Sequence, residues 1–593
     1  MFDKIIYLSD NMAHVTLSPN VPLSFNIMNM HVVFQDTEKC ILGEIEDIDE
    51  KIVKIRFLGE FNNNSFISGT IRKPLLNATV RLINKEEIPY IMGENTNENV
   101  FVGTSPLYNN FPIFSSINDL FSNHMAIFGN TGSGKSYGVA RLLQNVFENP
   151  KLPPYKAIFV IFDAYGEYHT AFKDINKINP NFNFKFFSTN EETDGEKLRI
   201  PPWLLTVDDL ALLLRADSHA QIPILEKTLR LARIFAQDGP ESNACKDYLI
   251  ARAIINIMYN NQTAMNKRND IFTILNTCHT PNFGIETIVN GVGYTRKLRE
   301  CFEIDLNGNF AETVLLNTYL SKFLDSEADN YVPKDPKPYT LEQLENALDF
   351  ALITDGVFNN PKSYGDGITL KVRLHSIVNS ENARFFDYKS NGYTTLEQYI
   401  ASLVATNGKR AQIINFNLED IDDSLAKVIT KVYSRMLFEF TKGLEERATI
   451  PFNVFLEEAH RYVQNDNDVY LLGYNIFERI AKEGRKYGLI FNLISQRPVE
   501  LSETVISQCT NFFIFKMSHP RDIDFIKKML PNINNEIVEK QKSLQPGTCV
   551  AFGRAFKVPQ IIKMPLPNPV PSSSSCDIVN RWRAWGRLIQ PRN

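Results

Sequence analysis

The sequence predicts an α/β protein: a parallel sheet covered by helices, with a small β-barrel before it and a mostly helical insertion within it. Three observations predict this. From about residue 124 short, nearly continuous apolar runs alternate with helix-like stretches, as in parallel sheets buried on both faces. Residues 1–100 instead carry short β-branched runs separated by polar turns. Residues 205–400 break the alternation with apolar positions at helical spacing.

The elements follow in order. His31-Val32-Val33-Phe34, Cys40–Ile45, Lys51–Phe57 and Ala78–Ile83 read as barrel strands. A bridging loop is expected from Gly103-Thr104-Ser105-Pro106-Leu107. The core takes residues 101–204 and 401–565, with expected strands at His124–Phe128, Ala157–Asp163, Ala411–Phe416, Asn453–Leu456, Leu489–Ile494 and Asn511–Phe515. Asp208–Leu214, Ile222–Arg233 and Leu341–Leu348 read as helices of the insertion. Residues 566–593 form a Pro/Ser connector and a basic aromatic tail, Val579–Arg587, holding Trp582 and Trp585.

Bulk properties narrow the function. A chain of 593 residues exceeds one hydrophobic core, so two to four domains are expected. Its 44% hydrophobic and 22% charged residues are ordinary for a globular protein. A net charge of −5 gives no overall attraction to nucleic acid. No apolar run reaches the ~18 residues of a membrane span, and no secretory signal is visible. The 7 cysteines form no C-x-x-C pair, which argues against zinc or disulfide frameworks. A cytoplasmic protein with no membrane partner is expected.

The chemistry is concentrated in a few positions. Gly129-Asn130-Thr131-Gly132-Ser133-Gly134-Lys135-Ser136 reads G-x-x-x-x-G-K-[ST], between an apolar strand and the helix that begins with Tyr137. In that context the loop's N–H groups surround phosphates, the Lys135 charge reaches the β- and γ-phosphates, and the Ser136 hydroxyl sits on Mg²⁺. ATP and Mg²⁺ are therefore the expected cofactors, and Tyr137 joins the nucleotide contacts. The strand Asn453–Leu456 ends in Glu457-Glu458, where parallel sheets bind ligands. Glu457 is expected on the metal, and Glu458 as the base that polarises the attacking water. Asp163 or Glu167, after the preceding strand, is expected to order the metal's waters, with Asp163 the chosen ligand. Gln496, at the next strand tip, is placed to sense the γ-phosphate. Lys482, Arg485 and Arg497 are candidates to enter a neighbouring subunit's site as an arginine finger.

Taken together these motifs resemble the HerA branch of the HerA–FtsK motor ATPases. The resemblance rests on Gly129–Ser136, Asp163…Gly166-Glu167-Tyr168, Glu457-Glu458-Ala459-His460, Gly484-Arg485-Lys486-Tyr487-Gly488 and Ser495-Gln496-Arg497. It implies a RecA-like P-loop ATPase core and a homo-hexameric ring that hydrolyses ATP at subunit interfaces and moves double-stranded DNA through its channel. It also implies a partner, either a nuclease or a sirtuin-like effector in defence against phage. The C-terminal segment of such proteins can brace a neighbouring nucleotide site, and Gly553–Val558 is the candidate here. The rival expectation is an ATP-regulated hexameric scaffold that activates an effector without moving DNA.

Overall fold

The computed structural model describes all residues except 19–25, 38, 63–64, 335–336, 355–360, 389–391, 466–467, 530–540, 574–577 and 584–593. The N-terminal strands are β1 (Phe2–Leu8), β2 (Met12–Leu17), β3 (His31–Gln35), β4 (Cys40–Asp49), β5 (Ile52–Asn62), β6 (Ser65–Ser68) and β7 (Thr79–Leu82). They form one antiparallel sheet in the order β1-β2-β5-β4-β3-β7, with β6 on β5. Along β5, Val53, Ile55 and Phe57 alternate inward while Lys54 and Arg56 stay half-covered. That period of two curls the sheet around its own core of Val15, Val32, Phe34, Ile41 and Ile45.

The second sheet has 12 strands. Its first members are β8 (Asn99–Ser105), β9 (Phe111–Ser116), β10 (Met125–Phe128), β11 (Ile158–Asp163), β12 (Phe184–Ser188) and β13 (Glu196–Lys197). Between residues 205 and 400 the chain is mainly helical, including Gln221–Phe235, Pro240–Met258 and Leu341–Thr354. Two short pairs lie at or near this region, β14 (Ile288–Asn290) with β15 (Thr295–Lys297) and β16 (Ala405–Thr406) with β17 (Lys409–Arg410). The large sheet resumes with β18 (Ile413–Asn417), β19 (Phe452–Leu456), β20 (Leu489–Ser495), β21 (Asn511–Phe515), β22 (Thr548–Gly553) and β23 (Gln560–Lys563).

The strand order is β13-β12-β18-β11-β19-β20-β10-β21-β22-β23-β8-β9. Pairing is parallel from β13 to β21 and antiparallel beyond. Alternate residues of the central strands enter two cores. Ala126, Phe128, Val160, Phe162, Val454 and Leu456 face the helix Asp423–Gly443 and the insertion. Met125, Ile127, Phe159, Ile161 and Phe455 face the helix Lys135–Phe147. This two-sided burial is why these strands read as unbroken apolar runs.

Residues 103–107 differ from the expected loop. They belong to the β8–β9 hairpin, which joins the sheet through Thr104 opposite Lys563. Val100, Val102 and Ile113 bury their side chains, and that apolar alternation outweighs Gly103 and Pro106. Pro112 is tolerated because β9 ends the sheet, where a missing N–H breaks no central ladder.

His124 precedes β10, is 1% exposed, and accepts a hydrogen bond at Nδ1 from Phe491 N (2.9 Å). Burial pushes its pKa down to about 4. An unfolded imidazole binds protons near pH 6.5, so the unfolded state gains protons first as the pH falls. The contribution of His124 to stability should be flat above pH 6.5 and then decline toward pH 4, by up to about 1.4 kcal/mol per pH unit. In a pH series of thermal melts, His124→Gln should flatten that slope. An equally steep slope in the substituted chain would reject the assignment.

Candidate nucleotide site

The parallel strands align their C-terminal ends along one edge. β10 leads into the glycine loop, β11 ends at Asp163, β19 leads into Glu457-Glu458 and β20 into Gln496. The loop is held by main-chain bonds to neighbouring strand ends, Gly129 N to Ser495 O (3.3 Å) and Asn130 N to Lys516 O (2.9 Å). Gly134 has φ +100°, and a Cβ there would stand 2.7 Å from Gly547 N. Glycine therefore serves both the backbone angle and the close approach. Lys135 begins the helix and is 8% exposed. Its Nζ folds back onto Gly129 O (2.7 Å) and Asn130 O (3.1 Å). Burial lowers its pKa, while Glu458 and Glu457 oppose the shift.

A cleft of about 1170 Å³ opens over this loop, with Lys135, Ser136, Glu167, Glu457, Glu458 and Gln496 on its walls. Gln496 Oε1 accepts a hydrogen bond from Thr131 Oγ1 (2.7 Å), joining the β20 tip to the loop. Glu457 is 4% exposed and accepts from Ala164 N (3.0 Å). Burial, then the charges of Asp163 and Glu167, holds its pKa well above the usual carboxylate range. Glu458 has φ 46° and ψ 48°, a left-handed conformation that costs a side-chain-bearing residue of order 1–3 kcal/mol and concentrates at functional sites. Burial raises its pKa and Lys135 counters the rise.

Asp163 takes a different place from the one expected. It is fully buried, away from the cleft walls. Its carboxylate accepts from Glu167 N (2.9 Å), Tyr168 N (2.9 Å) and Asn415 Nδ2 (3.1 Å). These bonds shape the turn that carries Glu167 to the cleft, whose lining it shares with Ser136. Arg485 is exposed on the Gly484–Tyr487 turn, and Lys482 pairs with Glu478 at 4.0 Å. Arg497 pairs with Glu500 at 3.0 Å. None of these three lines its own cleft. Sequence reasoning missed Arg141, one helical turn beyond Tyr137 on the cleft wall, and the segment Lys563–Ser573. Spacing from Tyr137 could have flagged Arg141; nothing local signals the distant segment. Within the expected bracing segment, Arg554 Nε bonds Asp119 Oδ1 of the same chain (3.0 Å).

Residues 100–286 match a family model described as the central domain of the helicase HerA. A DNA double-strand break repair helicase HerA of Sulfurisphaera tokodaii is 24% identical over 516 residues, spanning 86% of this chain and 77% of that protein. Over most of its length the chain is similar to HerA helicases. A probable HerA of Methanocaldococcus jannaschii is 22% identical over 93% of this chain and 96% of its own length. VirB4 of Thermoanaerobacter pseudethanolicus, a solved structure, aligns with TM-score 0.42 and 13% identity over 80% of this chain and 98% of that one. This similarity, with the phosphate loop in place, makes the chain an ATP-hydrolysing enzyme. Among the described residues no helix is long and apolar enough to cross a membrane.

Proposed function

We propose that this chain binds ATP with Mg²⁺ in the cleft and uses hydrolysis to move double-stranded DNA as one subunit of a homo-hexameric ring. The observation that carries the reading is the convergence of Lys135, Ser136, Glu457, Glu458 and Gln496 on one cleft at the sheet's C-terminal edge. Lys135 exchanges its two loop carbonyls for phosphate oxygens. Glu458 accepts the proton of the attacking water, and Gln496 follows the γ-phosphate through its bond to Thr131.

The donor set fits the metal. Ser136, Glu167 and Glu457 all line the cleft, and Glu167 Oε2 is buried with no hydrogen-bond partner. Among the described residues no three His, Cys, Asp or Glu side chains form a complete metal cage. That suits a magnesium ion held by one or two protein groups, phosphates and waters. When bound, the ion neutralises charge developing on the β- and γ-phosphates. Ser136 and Glu457 would hold it, with Glu167 in the position first assigned to Asp163.

Because Lys482, Arg485 and Arg497 lie off their own cleft, we assign the trans cation to this group, with Arg485, exposed on its turn, the leading member. The DNA reading is supported by relatives described as DNA double-strand break repair helicases. A nuclease or sirtuin-like effector, and with it antiviral defence, rests on the motif resemblance alone.

The experiment is ATP turnover per subunit across a dilution series, with and without duplex DNA. Turnover that rises with DNA and collapses as the ring dissociates is the expected result. Turnover indifferent to both would overturn the motor. DNA-indifferent turnover with intact effector activation would favour the scaffold instead.

A further inference from the structure

The turn that carries Glu458 is tied down at several points. The main-chain oxygen of Glu458 accepts from Arg461 N (2.8 Å). Arg461 Nε donates to Asp423 Oδ1 (2.7 Å) at the start of the helix Asp423–Gly443. Val463 N donates to Ala459 O (2.8 Å), and Ser502 N donates to Val463 O (2.9 Å). A left-handed conformation persists at a side-chain-bearing residue only where its surroundings over-determine it. These bonds fix the backbone of Glu458 and leave its carboxylate to be aimed.

One side chain of the same turn is placed to aim it. Among the described residues Glu458 Oε2 is buried with no hydrogen-bond partner. His460 Nδ1 lies 3.3 Å from that oxygen, and its own bond runs to Ser495 Oγ (3.1 Å). Ser495 ends β20 one residue before Gln496. Its hydroxyl oxygen accepts from Arg497 N (3.0 Å), and its main-chain oxygen accepts from Gly129 N of the phosphate loop (3.3 Å). His460 thus stands between the β20 tip and the one oxygen of the base that lacks a donor. A buried carboxylate oxygen without a donor is costly. A neutral imidazole that carries its proton on Nδ1 supplies one. His460 does not itself line the cleft.

We infer that His460 is a positioning residue for hydrolysis: its Nδ1–H holds Glu458 Oε2 toward the β20 tip, so that Oε1 meets the attacking water. The inference rests on the reading of Glu458 as the base and adds what aims it. The water's proton passes to Oε1, and His460 keeps its own.

The test is ATP binding, steady-state phosphate release and thermal melting of the full chain, with His460→Ala, His460→Asn and His460→Gln, and with His460→Ala added to Glu458→Gln. Asparagine carries a donor nitrogen two bonds from Cβ, as Nδ1 is; glutamine carries it one bond farther out. In His460→Ala and His460→Gln kcat should fall about a hundredfold, the usual cost of a misaimed group, with ATP affinity and melting temperature near native. His460→Asn should regain roughly tenfold of that loss. On top of Glu458→Gln, His460→Ala should lower the residual rate by less than about threefold, because residues that act as a unit do not add. A side chain that only fills space would instead lower stability, and would lower the rate equally in both backgrounds. Native kcat in His460→Ala, asparagine no better than glutamine, or the full loss repeated on top of Glu458→Gln would each overturn the inference. Should the alanine variant not fold, asparagine against glutamine decides alone. Native turnover in Glu458→Gln by itself would overturn the reading of Glu458 as the base, and the inference with it.

Discussion

A Glu458→Gln chain should bind ATP at close to native affinity and lose turnover by about two to four orders of magnitude, the usual contribution of a positioned base. The substitution keeps the side chain's size and removes only its ability to take a proton. The left-handed backbone at residue 458 is unchanged because glutamine carries the same Cβ. Glu458 is opposed by the Lys135 charge, so neutralising it removes a partner of Lys135 rather than stranding a like charge. Binding is therefore expected to hold or tighten. Nucleotide titration alongside steady-state phosphate release separates the two quantities. Native turnover in this variant would remove Glu458 from the reaction.

Lys135→Ala should act at the earlier step. The ammonium group of Lys135 bonds two carbonyls of its own loop, which keeps a buried cation satisfied before phosphate arrives. Alanine deletes the cation that phosphate would meet. Hydrogen bonds to charged groups contribute about 1.5–3 kcal/mol, so ATP affinity should fall roughly ten- to hundredfold. Affinity for inorganic tripolyphosphate should fall with it. Calorimetric titration of both ligands reads this directly. Native affinity for both would move the phosphate site elsewhere.

Much of this arrangement was legible because strands buried on both faces must be apolar throughout, and their ends are marked where polarity returns. Phe128, Phe162, Leu456 and Ile494 each stand at or beside such an end, and the residues after them line or shape the cleft. What escaped depends on distant partners. β12 is short and takes its partner β18 from far along the chain, while β22 and β23 are short strands that pair with each other beyond the parallel part of the sheet. The β8–β9 hairpin carries the glycine and proline of a loop, and only its docking on Lys563 makes it part of the sheet. Asp163 and Glu167 are four residues apart; which one reaches the cleft is decided by the N–H groups that turn inward on Asp163. A proline-serine run resembles a spacer until one sees Gln144 bond Asn568 N and Pro569 O within it. The end of the aromatic tail, with Trp585 and Arg587, lies outside the described residues.

The strand that bears the glycine loop has both its neighbours, β20 and β21, near the far end of the chain; His124 and its bonded partner Phe491 are 367 residues apart. On a ribosome adding about 5–20 residues per second, that strand emerges and waits on the order of 20–70 s for its neighbours. Met125–Phe128 is apolar on both faces, so in that interval the nascent chain displays an adhesive, unpaired edge. Biosynthesis of this enzyme should therefore depend on chaperone shielding of its first half until the last strands are released.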